Sequence, residues 1–190
     1  DGTETLGTPG IPISGGSGFV EGGVGMVGVA SGQIDLEVPA GAAIQQVLLY
    51  WAGGTTGAPG DDNISIGGNA VQGSLIGGPV HFFSINGVPY SFSAYRADIT
   101  GLGLVQNGAN SLTVSDFDFD TSGGTLDENN GCSVVVITDN NIAADLSVVD
   151  GLDMAYFGFQ PSLDATVPQV FGLTPADEAR MGDLLLVAAS

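Results

Sequence analysis

Ile44-Gln45-Gln46-Val47-Leu48-Leu49-Tyr50-Trp51, closed by Gly53-Gly54, is eight residues of branched, aromatic and amide side chains ending at a glycine pair. The run is too short for a membrane helix, and its branched and aromatic residues favour a pleated surface. It reads as a strand, and the chain on either side of it repeats that pattern. Asn63-Ile-Ser-Ile66 and Asn69-Ala-Val71 flank Gly67-Gly68, and Val80 to Ile85 and Val88 to Ser93 flank Asn86-Gly87. Both dipeptides tolerate the positive φ of a two-residue hairpin turn. Tyr90, Phe92 and Ala94 share one face of the second arm, opposite Ser91 and Ser93, and Pro89 predicts an edge strand or a late start there.

Further along, Leu112 and Val114 are apolar at even positions, Phe117 and Phe119 at odd ones. One regular strand cannot bury both pairs on one face, so a bulge or break is expected near Ser115-Asp116. Ser133 to Thr138 is a continuous apolar run of the kind found in a strand covered on both faces. Ala144 to Val149 and Met154 to Phe159 read as further strands. Thr174-Pro175-Ala176-Asp177 has the cap, proline and acid of a helix start. The apolar tail Leu184-Leu-Leu-Val-Ala-Ala-Ser190 is expected to pair or pack. About ten short strands with glycine-rich turns predict an all-β antiparallel β-sandwich or jelly roll over residues 33–190.

Residues 1–32 differ, with 11 glycines, Pro9 and Pro12. Helix is disfavoured there. An extended arm tied down by contacts, and able to act as a donated strand, is the natural reading. The start at Asp1, without a charged leader, reads as a processed end.

Composition narrows the function. The 190 residues carry 21 acids and two arginines, Arg96 and Arg180, for a net charge of −19. Nucleic acid and anionic lipid are therefore unsuited as partners, because both need several cations on the protein. No apolar stretch reaches about 18 residues, so no transmembrane helix is expected. The absence of lysine removes both a G-K-[ST] phosphate loop and Lys–Asn crosslinks. The single cysteine, Cys132, allows no internal disulfide and lies in an apolar run that suits a small buried hydrophobe.

Chemistry has few candidates. His81 and Ser17 lack the strand-turn-helix setting of a hydrolase nucleophile, and no enzyme is expected. Trp51 could serve as a sugar platform, but its apolar neighbours place it in the core. Arg96 is expected in a structural ion pair with Asp98 or on backbone carbonyls. Asn63-Ile-Ser65 forms a glycosylation sequon. The acidic segment 116–128 is the best metal candidate. Asp118, Asp120, Ser122 and Gly123 match positions 1, 3, 5 and 6 of a calcium loop, and Asp116, Asp127 and Glu128 add carboxylates. Position 12 falls on Asn129, with Glu128 one place early, and a solvated acidic loop is the competing reading.

Five segments in order resemble secreted bacterial cell-surface modules found in adhesin-like proteins. They are Val47-Leu-Leu-Tyr-Trp-Ala-Gly53, Tyr95-Arg-Ala-Asp-Ile-Thr100, Asn110-Ser-Leu-Thr-Val114, Asn130-Gly-Cys-Ser-Val-Val-Val-Ile137 and Leu146-Ser-Val-Val-Asp-Gly151. Gly182-Asp-Leu-Leu-Leu186 is a weaker sixth. The resemblance spans residues 40 to 190 and implies an extracellular or cell-surface β-sandwich without catalytic residues. Together with the arm it points to a structural subunit whose partners are copies of itself, in a filament, sheath or layer. The alternative is an adhesin-like module for a glycan or protein receptor.

Overall fold

A computed structural model describes residues 4–56, 60–117, 128–159, 164–172, 174–175 and 177–188. The chain is an antiparallel β-sandwich of eleven strands among the described residues: β1 Leu6–Gly7, β2 Gly18–Gly25, β3 Ser31–Val38, β4 Ala43–Thr55, β5 Asn63–Ile66, β6 Asn69–Gln72, β7 Ser74–Ile85, β8 Val88–Asp98, β9 Gly108–Ser115, β10 Glu128–Asp139 and β11 Asp150–Gly151. One sheet has the order β2-β10-β4-β8-β7, the other β3-β9-β5-β6, and β1 pairs with β11. A 3-10 turn, Thr100–Leu102, follows β8. No helix among the described residues is long and apolar enough to cross a membrane.

The core lies between the two large sheets. Val47, Leu49 and Trp51 of β4 meet Cys132, Val134 and Val136 of β10 and Ile34, Leu36 and Val38 of β3. On β3 the pattern is strict, with Gln33, Asp35 and Glu37 facing away from the core, so this sheet is covered on one side only. The five-stranded sheet is covered on both. Its outward residues Leu48, Val135 and Ile137 are as buried as the inward ones.

Two straps supply that cover. The first is the segment before β2: Gln46 Oε1 accepts from Ser14 N at 2.8 Å and its Nε2 donates to Pro12 O at 3.1 Å. The second follows β10. Asp150 meets Arg96, Leu152 packs against Gly77, and Tyr156 and Phe159 pack edge-on against Phe82.

Both hairpin turns form where the sequence places them. Gly67 and Gly68 have φ of 55° and 77°, Asn86 and Gly87 51° and 82°. The phase change is resolved as expected: β9 stops at Ser115, Asp116 turns left-handed with φ of 61°, and Phe117 returns to the core. Phe119 lies outside the described residues.

Four expectations are corrected. Pro89 is not on an edge strand, since β8 is paired by β4 and β7; it sits beyond the last β4 partner, Ser91, where no ladder bond is lost. Of residues 144–159 only Asp150–Gly151 forms a strand, because after it Leu152, Tyr156 and Phe159 dock on a sheet face, where no backbone partner offers a ladder. Among the described residues after Thr174 no helix forms, and Ala176 lies outside them. The tail from Leu184 through residue 188 does not pair and is mostly uncovered: Leu184 is 81% and Leu186 76% exposed, with Leu185 half-buried.

Candidate functional site

Within the arm, β2 is an edge strand of the five-stranded sheet. Eight consecutive residues, Gly18 to Gly25, pair antiparallel with Thr138 to Gly131 of β10 in the same chain. Four of the eight are glycines, so β2 is held mostly by main-chain bonds. Gly22 is required by a close approach: a Cβ there would lie 2.5 Å from Asp35 O of β3. Ser133 donates to Glu21 Oε1 at 3.0 Å on the outer face. After β2, Met26 is fully buried, and the chain turns through Val27-Gly28-Val29 into β3. Val29 N bonds Met26 O at 3.2 Å, yet Val27 and Val29 point to solvent, Val27 52% exposed.

A second surface is aromatic. Phe82 stands at the centre of edge-on contacts with Phe83, Phe92, Tyr156 and Phe159, at centroid distances of 4.9–5.6 Å. Phe157, in contact with Tyr156, is 86% exposed at its rim.

The metal residues read from the sequence are divided. Asp118, Asp120, Ser122 and Asp127 lie outside the described residues. Asp116 is the left-handed residue after β9, and Glu128 opens β10 opposite Gly54. Among the described residues no three His, Cys, Asp or Glu side chains form a metal group.

The other candidates have structural places. His81 Nε2 is 3.0 Å from Ser84 Oγ on the edge strand β7, whereas Ser17 Oγ accepts from Asn140 N at 2.7 Å beside β10. Asn63 opens β5, its side-chain amide donating to Asp62. Trp51 is in the core, stacked on Tyr95 at 5.7 Å, its Nε1 donating to Asp61 O at 2.8 Å. Cys132 is buried, and burial pushes its thiol up to about 12.

Arg96 does form a buried ion pair, but with Asp150 rather than Asp98. Tyr50 adds a hydroxyl to Asp150 at 3.4 Å, and burial, then the Asp150 charge, raise its phenol. Asp98 instead accepts from Gln46 at 2.7 Å and from Thr100 N at 3.0 Å. Burial works against its charge, but the hydrogen bonds from Thr100 and Gln46 and the Arg96 guanidinium hold its carboxyl below the ordinary range. Sequence reading missed Asp150, because nothing local marks a partner 54 residues away. It missed Gln46 too, although an amide inside an apolar strand signals a buried hydrogen-bonding task.

Compared with family models, curated proteins and solved structures, the chain shows no significant match.

Proposed function

We propose that the chain is an extracellular structural subunit that assembles with its own copies by exchanging β2. The single observation that carries this reading is the β2–β3 connection. It is a five-residue connection, Met26–Ala30, whose tight turn bears two exposed valines, and branched residues favour the extended backbone that would merge β2 and β3 into one strand. In that form β2 and Met26 would occupy the next copy's β10 edge and core hole, with the contacts they make here. A head-to-tail exchange of this kind does not close and propagates as a filament. The uncovered apolar tail adds support, since a chain that ends its work as a monomer gains nothing from exposing Met181 and Leu184. The extracellular setting rests on the resemblance of the five segments to surface modules.

The test is sedimentation and electron microscopy of the parent chain and of a variant with three glycines inserted after Gly28. A longer, looser hinge favours closure on the same chain. The parent is expected to form filaments and the variant to stay monomeric. A parent that is monomeric at every concentration overturns the proposal.

The aromatic rim favours a second reading, a binding module for a glycan or protein receptor, since exposed rings stack on sugar faces and anchor interfaces. In that case Phe157→Ala would lower ligand binding on a glycan array while leaving assembly unchanged.

A further inference from the structure

Gln46 lies beside Leu48 and opposite Ile137 on the outer face of the five-stranded sheet, and it is only 4% exposed. A buried amide among apolar neighbours needs a partner for each of its polar atoms. Two of those partners are main-chain groups of the arm: Oε1 accepts from Ser14 N at 2.8 Å, and Nε2 donates to Pro12 O at 3.1 Å. The second Nε2 hydrogen goes to Asp98 Oδ2 at 2.7 Å, and Thr100 N holds that carboxylate in place at 3.0 Å. A carbonyl and an N–H two residues apart are what one side of a strand offers its neighbour, so this one side chain stands in for a ladder partner. The contacts continue on either side of it. The β4–β10 ladder skips Gln45, and Gln45 O accepts from Ser14 Oγ at 3.4 Å. Ile11 borders a cleft of about 290 Å³ between β6 and the end of β8, beside Val71, Ile99 and Leu102. Gly16 passes so close to β10 that a Cβ there would lie 2.6 Å from Thr138 O, the oxygen that Ser17 N bonds at 2.8 Å.

We propose that Gln46 is a main-chain clamp that recognises residues 11–14 of an arm, and that in the assembly the arm it holds is another copy's. The source of the arm rests on the β2 exchange proposed above, whereas the clamp acts on whichever arm is seated. Ser14 is four residues before Gly18, a reach of about 14 Å at most. β2 therefore cannot be given to another copy unless the clamp also releases its segment. The emptied copy is left with a buried amide oxygen that has no donor, a penalty that lasts until an equivalent segment arrives. That requirement is selective, because a segment that fails to supply both groups leaves the amide unmatched. This chain's own arm meets it, and the glycines after Ser14 then let it pass Thr138. Pro12 has a carbonyl to offer but no N–H, so an arm slipped to place residue 12 where Ser14 stands is rejected. β2 alone discriminates less, since four of its eight residues are glycine and its bonds are mostly main-chain. A second copy of this chain is thus the partner that fits the vacated seat.

Hydrogen exchange at the Ser14 amide of the full chain tests the clamp in whatever state of assembly the chain adopts. Gln46→Met keeps the length of the side chain and removes both bonds to the arm. Ser14 is expected to exchange about tenfold faster or more in this variant, while Leu49 and Val134, paired on the β4–β10 ladder, keep the parent's rates. Equal Ser14 rates in parent and variant overturn the clamp. If the ladder amides also speed up, or the variant does not fold, Ser14→Pro decides. It deletes the N–H and leaves Gln46 in place, so the Gln46 side-chain amide should exchange about tenfold faster, and an unchanged rate overturns the clamp. Sedimentation then tests the occupant. Gln46→Met is expected to raise about tenfold the concentration at which filaments appear. Filaments at the parent's concentration, with Ser14 exchanging faster, confine the clamp to the chain's own arm and overturn its role between copies. A parent that forms no filaments refutes the β2 exchange and that role with it, and the Ser14 rates then decide the clamp by themselves.

Discussion

Asp150 holds the second strap down through one buried ion pair. Arg96 and Asp150 are 3% and 9% exposed, so removing the acid strands a guanidinium under cover. Breaking such a pair costs about 3–5 kcal/mol, and Asp150→Ala should lose that much in urea denaturation, while Asp98→Ala, at an exposed site, should lose far less. Asp98 acts instead on the pH profile. Its folded carboxyl titrates lower than in the unfolded chain. Its contribution is therefore present above the ordinary carboxylate value of about 3.9 and is lost as pH falls through the folded one. Asp98→Asn should flatten the acid limb of a melting-midpoint curve; an unaltered limb would remove Asp98 from the account. Cys132 titrates in the opposite direction, its thiol raised to about 12 by burial. It should resist thiol reagents at pH 8 until the chain unfolds, and prompt labelling of the native protein would contradict its place in the core.

At the scale of elements, β2 is the strand whose fit is most exacting. A side chain at position 22 meets the β3 backbone at Asp35, which cannot move aside as a flexible side chain could. Gly22→Val is expected to destabilise by about 1–3 kcal/mol and to expose the β10 amides to hydrogen exchange. Protection of Val134 and Val136 equal to that of the parent would show that β2 is not their partner. Local sequence was a good guide wherever one residue type forces one backbone. Gly67-Gly68, Asn86-Gly87 and the broken alternation at Ser115-Asp116 each marked its own turn. The apolar run at 133–138 likewise announced a strand covered twice. Guidance failed where the deciding partner is far along the chain. Residues 144–149 and 154–159 have the composition of strands, yet a strand needs a free backbone edge, and composition carries no information about that. The Ser14–Gln46 contact was hidden for the same reason: 32 residues separate the two.

For the whole molecule, the central claim is that β2 fills the β10 edge of another copy. Glu21 and Val135 are register partners across that ladder, close enough for cysteines to be bridged. In a Cys132→Ala background, Glu21→Cys with Val135→Cys reports directly whose β2 lies on whose β10. The most direct measurement is oxidation of this variant under assembling conditions, followed by a denaturing, non-reducing gel. Exchange predicts a covalent ladder of dimers, trimers and longer chains that collapses to monomer on reduction. Assemblies that yield only internally bridged monomer would contradict the claim, because β2 would then lie on its own chain inside the polymer.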